Sequence, residues 1–175
     1  MINFKGFASL EKLPEKLHIY TGVFLDEEAR GHLLSLFVPR HPNVYADHVT
    51  LCFKPSLEEV TKVNELNRIA MSQLNAPKPR QLGMKIVGYA EDEKAQAIAV
   101  SFPFEDLSKF EIKNEILHIT ISCADGVSPV YSNDLLKSEA RKEDTRGYFF
   151  IGHLAVCSHS DRAYLPQGMW KRRGL

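Results

Sequence analysis

The sequence has little cysteine, and its cysteines are not arranged in pairs. Cys52, Cys123 and Cys157 are spread over 175 residues, and no Cys-x-x-Cys pair occurs. An odd number of widely spaced cysteines argues against the disulfide framework of a small secreted domain. We therefore expect reduced, mostly buried thiols in a cytoplasmic protein.

The chain also lacks net charge, long apolar runs and a secretory signal. Lys and Arg number 22, as do Asp and Glu, so no global field favours nucleic acid or a membrane. No apolar run approaches a membrane span, and the N-terminus lacks the basic-then-apolar order of a signal peptide. With 44% hydrophobic and 25% charged residues, residues 1–175 predict a single globular domain with its own core.

Two short stretches, 70 positions apart, repeat one pattern of alternating polar and apolar residues. Alternate side chains of a strand share a face, so each stretch predicts a strand with one polar and one apolar face. The polar faces carry His48, Thr50 and Cys52 in the first strand, and His118, Thr120 and Ser122 in the second. The apolar faces, which we expect in the core, carry Val49, Leu51, Phe53, Leu117, Ile119 and Ile121.

The other elements alternate loosely between strands and helices, which favours an α+β fold with antiparallel sheets. Asp26 is a candidate cap for a first helix, and Ser56 with Glu59 forms a capping box for a second. Ser132 or Asn133 is expected to cap a short third helix. Further strands are predicted over residues 17–25, 81–89, 94–102 and 148–158. Two similar lobes facing each other would bring the two histidine strands to one cleft.

Two imidazoles across a cleft suit phosphodiester chemistry. A histidine has an ordinary pKa of about 6.5, so one ring can be neutral while its partner is charged. The neutral ring takes a proton from the attacking water or hydroxyl, and the charged ring gives one to the leaving oxygen. Each transfer is typically worth ~10²–10⁴ in rate. Thr50 and Thr120 can donate hydrogen bonds to the phosphate oxygens, and the scheme needs neither a metal ion nor another cofactor.

His48-Val49-Thr50-Leu51 and His118-Ile119-Thr120-Ile121 together resemble the H-x-T-x signature of the two-histidine (2H) phosphoesterase superfamily. This superfamily includes LigT-like RNA 2′,3′-cyclic phosphodiesterases, cyclic phosphodiesterase domains of tRNA ligases, and 2′-5′ oligoadenylate phosphodiesterases. Residues 20–22, 48–55 and 126–133 also resemble a branch linked to RNA repair ("Swiss army knife"-like). The resemblance implies a bilobal, pseudo-two-fold fold, with antiparallel sheets lining a central cleft and helices outside.

The resemblance further implies that His48 and His118 are catalytic and that Thr50 and Thr120 bind phosphate. Because the two halves are pseudo-symmetric, the sequence does not indicate which histidine is the base. The residues expected at the substrate are Tyr20, Tyr131, Ser132 and Asn133. The two tyrosines could stack on a base or simply pack.

The remaining histidines and basic residues have plainer interpretations. His153, in the last predicted strand, is expected to be structural. The histidines expected at the surface are His18, His32, His41 and His159. The basic residues Lys137, Arg141, Lys142 and Arg146 could attract RNA phosphates, but interleaved acidic residues favour a solvated helix end.

These features predict a metal-independent phosphodiesterase of RNA processing or repair. Its substrate would be a 2′,3′-cyclic phosphate or a 2′-5′ linkage on RNA or a small nucleotide, and we expect a monomer without a membrane partner. One alternative is a non-catalytic module that binds a nucleotide or RNA end in the same cleft. A zinc hydrolase built on His48, His118 and a carboxylate is disfavoured, because no short pair of histidine ligands occurs.

Overall fold

The computed structural model describes residues 19–73, 78–158 and 162–163 and confirms the α+β fold class. In this part of the chain there are three α-helices and nine strands. The helices are α1 (Glu27–Leu36), α2 (Leu57–Gln73) and α3 (Ser132–Lys137). The strands are β1 (Ile19–Phe24), β2 (Asn43–Val44), β3 (His48–Phe53), β4 (Gln81–Glu91), β5 (Ala95–Ser101), β6 (His118–Cys123), β7 (Lys142–Glu143), β8 (Phe149–Ser158) and β9 (Arg162–Ala163).

All strand pairs of the described sheet are antiparallel, and one hydrogen-bonded path runs β2-β6-β5-β4-β8-β1-β3. The boundary between β4 and β8 divides this path into two halves. One half contains β8, β1 and β3, and the other contains β4, β5 and β6, with β2 beyond β6. The two histidine strands therefore hold equivalent third places, counted outward from the β4–β8 boundary. The two halves belong to one continuous sheet, because β8 pairs with both β1 and β4.

A β-bulge lies at the same place in both histidine strands. In β3, Thr50 and Cys52 face consecutive residues of β1, so Leu51 is the extra residue. In β6, Thr120 and Ser122 face consecutive residues of β5, so Ile121 is the extra residue. An extra residue interrupts the alternation of side chains along a strand. The face pattern that holds at each His-x-Thr therefore fails just beyond it.

The core confirms most of the predicted apolar face, with one error. Val49, Leu51, Ile119 and Ile121 are at most 1% exposed, and Leu117 packs against the same cluster while partly buried. Phe53 was expected in the core but is 41% exposed. The bulge at Leu51 explains this error, because it buries both Leu51 and Cys52 and turns the next side chain outward. All three cysteines are free and buried, as expected.

The first two helices begin where the capping residues predict. Asp26 accepts the Ala29 N–H at 2.8 Å, and Ser56 accepts the Glu59 N–H at 3.1 Å. The Ser56 N–H donates to Glu111 rather than back to Glu59. The predicted cap of α3 was wrong, because this helix continues directly from a 3-10 turn (Pro129–Tyr131) that Ser128 caps.

No helix in the described part of the chain is long and apolar enough to cross a membrane.

Candidate active site

His48 lies at the start of β3 with its ring held on several sides. Its Nδ1–H donates to Asp47 Oδ1 at 2.8 Å. The ring stacks on Phe24, its cross-strand partner, at a centroid distance of 5.1 Å and an angle of 17°. The Tyr20 ring lies 5.1 Å away at 34°. With Nδ1 engaged, Nε2 is the nitrogen through which His48 can meet a ligand.

His118 begins β6 and has a different environment. Its Nδ1 lies 2.8 Å from the carbonyl oxygen of Ile116. A carbonyl can only accept, so Nδ1 carries the hydrogen and the neutral ring has its lone pair on Nε2. Burial lowers the pKa of His118, the Ile116 carbonyl raises it, and the charge of nearby His48 lowers it further. His118 therefore favours the neutral form, which can accept a proton.

The ends of the two histidine strands are connected by hydrogen bonds. The Ala46 N–H, just before β3, donates to the Thr120 carbonyl at 2.8 Å. The side-chain amide of Asn114, just before β6, donates to the Thr50 carbonyl at 2.8 Å. Ala46 has a φ of 55°, a rare conformation for alanine, at the turn between β2 and β3. These contacts bring the two His-x-Thr pairs next to each other at the starts of β3 and β6.

The two threonines differ in their surroundings. Both are half-buried. Thr120 Oγ1 lies 2.8 Å from Ser132 Oγ and donates a longer bond, at 3.4 Å, to the Pro129 carbonyl. Ser132 was expected to touch substrate directly, but its side chain is fully buried. Since its hydroxyl contacts Thr120, the structure places Ser132 behind the threonine rather than beside a ligand.

Of the four residues expected at the substrate, Tyr20 is the one with a ring contact to a site histidine. The Tyr131 hydroxyl donates to Asp92 Oδ2 at 2.6 Å, and this bond raises the pKa of Tyr131 to about 12. Lys94 Nζ lies 5.3 Å from the centre of the same ring. The Asn133 amide donates to the Val130 carbonyl at 3.1 Å. Substrate contact by Tyr131 and Asn133 stays a prediction.

The other described histidines lie apart from this pair. His153 is 4% exposed, and its Nε2 lies 4.0 Å from Asp26. Burial lowers the pKa of His153, as suits a structural residue. His32 is exposed and His41 half-buried, while His18 and His159 lie outside the described residues. Among the described residues, no group of three or more His, Cys, Asp or Glu is placed to hold a metal ion.

Two contributors to the site could not be identified from the strand pattern. Asp47 precedes His48, and neighbouring residues of a strand point to opposite faces, so alternation gave no reason to pair them. The structure shows that Asp47 lies just before the strand begins, where this rule does not hold. The second contributor, the carbonyl of Ile116, is a backbone atom and has no sequence signature.

Comparisons with known proteins agree with this geometry. The family model of the fungal tRNA ligase phosphodiesterase domain matches residues 46–156, which include both His-x-Thr pairs. A crystal structure of a fungal RNA kinase has a similar fold, with a TM-score of 0.52 and 14% sequence identity. That similarity covers 83% of this chain and 46% of the kinase chain, so the chain spans about half the length of that protein. No curated protein matches this chain in sequence. The chain belongs to the family of fungal tRNA ligase phosphodiesterase domains.

Proposed function

We propose that this protein is a metal-independent phosphodiesterase that opens a 2′,3′-cyclic phosphate, or cleaves a 2′-5′ linkage, on RNA or a small nucleotide. Family membership supports phosphodiesterase chemistry in RNA processing. The observation that carries the proposal is the pair of histidines with differently occupied Nδ1 atoms at one site. In this proposal a single chain supplies every catalytic group and works as a cytoplasmic monomer.

The unequal environments assign unequal roles. His118 is the proposed general base, because burial favours its neutral form and the Ile116 carbonyl fixes the tautomer with a lone pair on Nε2. His48 is the proposed general acid, because its Nδ1–H donates to the Asp47 carboxylate, whose negative charge lies beside the ring. Phe24 and Asp47 together orient the ring, so its Nε2–H is presented to the leaving oxygen.

The proposed reaction on a cyclic phosphate is a single displacement at phosphorus. Nε2 of His118 takes a proton from water, whose oxygen forms a bond to phosphorus. The bond between phosphorus and one ribose oxygen breaks, and Nε2–H of His48 protonates that oxygen. The products are a ribose hydroxyl and a phosphate monoester. Thr50 and Thr120 donate hydrogen bonds to the non-bridging oxygens as negative charge develops there.

The dependence of kcat/KM on pH should be bell-shaped, with an acid limb whose midpoint lies below about pH 6.5. The sign follows from His118: the base must be neutral, and burial lowers its pKa, so the neutral form persists to lower pH. Measuring kcat/KM from about pH 4.5 to about pH 9 tests this. An acid limb centred clearly above the ordinary histidine pKa would contradict the assignment of His118 as base.

Asp47→Asn should lower kcat by less than the ~10²–10⁴-fold worth of the proton transfer itself, while KM changes little, since the aspartate acts through His48. The amide keeps the size of the carboxylate but removes its charge and one acceptor oxygen. Steady-state kinetics would show the split between kcat and KM, and the melting temperature serves as the control for folding. If KM rises with kcat unchanged, Asp47 contacts substrate rather than positioning His48.

The substrate class can be found with a panel assayed in the presence of EDTA. The panel contains 2′,3′-cyclic nucleotides, 2′-5′ oligonucleotides and cyclic oligonucleotides, each incubated with the wild type. Turnover of the first or second class in EDTA is the expected result. Loss of activity in EDTA that zinc or manganese restores would replace this proposal with a metallohydrolase. Tight binding without turnover of any member would replace it with a binding module.

A further inference from the structure

A groove of about 530 Å³ lies next to the residues that precede β6. Its volume falls in the range of ~300–1,000 Å³ usual for small-molecule sites. Ile116, whose carbonyl fixes the His118 ring, lines the groove, and so does Ala99, the cross-strand partner of His118. Much of the rest of the wall is apolar and comes from Val87, Val100, Phe102, Pro103, Leu107 and Leu117. We call this feature the Arg141 groove, after an arginine that lines it.

Arg141 lines this groove and has one buried donor without a partner. Its Nε is buried and has no hydrogen-bond partner, although the side chain as a whole is 29% exposed. Its other described polar contact is a single ion pair, at 3.3 Å between its Nη2 and Glu143 Oε1. A buried N–H group without a partner costs free energy, but this Nε is covered, so a ligand would contact the exposed part of the guanidinium. Arginine binds phosphate well, because its planar guanidinium presents several donors at once.

Two carboxylates that line the groove have a cation other than Arg141 beside them, which weakens their opposition to an anion. Glu105 pairs with Arg80 at 3.2 Å, and Glu115 pairs with Lys137 at 2.5 Å. Glu143 is the partner of Arg141 itself and is largely exposed. A phosphate on Arg141 would have to displace this exposed carboxylate, and ion pairs to an exposed carboxylate are weak.

The position of Arg141 relative to His118 sets the distance that a ligand must span. Gly88, Ala99 and His118 lie in register across β4, β5 and β6. A Cβ at Gly88 would stand 3.0 Å from Arg141 Nε and 3.4 Å from the Ala99 Cβ, so the guanidinium lies over the same face as His118. Gly88 and His118 are two strand spacings apart, which is roughly 10 Å, and the guanidinium lies beside Gly88. Ala99, between them, is 1% exposed, so a ligand spanning this distance would lie over the side chains that cover it, along the groove wall at Ile116.

We propose that the Arg141 groove binds the nucleoside attached to the reacting phosphate, and that Arg141 contacts the phosphate on the 5′ side of that nucleoside. The apolar walls suit a base and a ribose, and the guanidinium suits the next phosphate of an RNA strand. This inference rests on the proposed function, which places the reacting phosphate at His48 and His118. The contact between Arg141 and the 5′-phosphate would make the protein prefer the end of an RNA strand, or a 5′-phosphorylated nucleotide, to a nucleoside cyclic phosphate that lacks a 5′-phosphate.

A pair of ligands that differ only in the 5′-phosphate tests this without requiring turnover. Adenosine 3′-phosphate and adenosine 3′,5′-bisphosphate are titrated into the wild type and into R141A, R141K and R68A. The wild type should bind the bisphosphate on the order of tenfold more tightly, and R141A should lose this preference while binding the monophosphate unchanged. R141K should keep part of the preference. R68A is the matched control, because Arg68 is an exposed arginine with its own glutamate partner on α2.

Two results would overturn the groove assignment. In the first, the wild type binds both ligands equally tightly; in the second, R141A loses the same factor of affinity for each ligand. Turnover of adenosine 2′,3′-cyclic phosphate with and without a 5′-phosphate is measured in parallel. If the preference depends on Arg141 but neither cyclic nucleotide is hydrolysed, the proposed function fails and the groove assignment stands. If both are hydrolysed equally well by the wild type and R141A, the proposed function stands and the groove assignment fails.

Discussion

Replacing either His48 or His118 with alanine should lower the single-turnover rate by roughly 10²–10⁴, the usual worth of one proton transfer. Affinity for the substrate should stay within about tenfold, or ~1.4 kcal/mol, of the wild type. Proton transfer matters mainly in the transition state, so its loss appears in the chemical step. The double variant should be little worse than either single one, because an acid and a base that serve one displacement act as a unit.

Single-turnover rates and ligand affinities, measured on the substrate that the panel identifies, would test this. His32→Ala is the matched control, because His32 is an exposed histidine on α1 and should tolerate the change. Rates near wild type for both single variants would show that these histidines are not the acid and the base. A loss of binding that equals the loss of rate would point to the binding-module alternative.

The threonines should behave differently from the histidines in the same experiment. Each threonine-to-alanine change removes a hydrogen bond to a charged phosphate, worth about 1.5–3 kcal/mol. Binding and rate should therefore weaken together. Thr120→Ala also removes the partner of the buried Ser132 hydroxyl, so some loss of stability is expected. Ser132→Ala breaks the same contact without removing the threonine hydroxyl, and so separates the two effects.

The strand alternation was enough to predict the faces of the two histidine strands up to each bulge. It placed His48 beside Thr50 and His118 beside Thr120, and it placed Val49 and Ile119 in the core, where both are at most 1% exposed. These predictions succeeded because each pair precedes its bulge, so the period of two still holds. Phe53 lies beyond the bulge, and no residue type in the sequence marks where a bulge forms.

The sequence could not predict that the two histidines have different hydrogen-bond partners, for a similar reason. The difference depends on Asp47 and on the Ile116 carbonyl, which contact the rings because the chain turns just before each strand begins. Turn geometry decides such contacts, and two identical His-x-Thr patterns contain no information about it. The role of Ser132 behind Thr120 likewise follows from tertiary packing of α3, not from local sequence.

Gly22→Ala should destabilise the protein by about 1–3 kcal/mol or more and should also impair activity. Gly22 lies opposite Thr50 on β1, at the bulge. A Cβ added there would stand 2.6 Å from the Val49 carbonyl oxygen, too close for either group to remain in place. Because Val49 lies between His48 and Thr50, relieving this clash must move the backbone that positions both side chains.

Gly31→Ala provides the opposite result in the same protein. Gly31 lies inside α1, and nothing lies within 4 Å of an added Cβ. Alanine there should stabilise the protein by roughly 0.5–1 kcal/mol, because glycine is a poor helix former. Urea unfolding of both variants, with turnover measured under native conditions, gives the comparison. Since both changes add one methyl group, a lower stability and rate for Gly22→Ala alone would show that the active site depends on close contact between β1 and β3. Equal stability of the two variants would show that β3 can shift without cost.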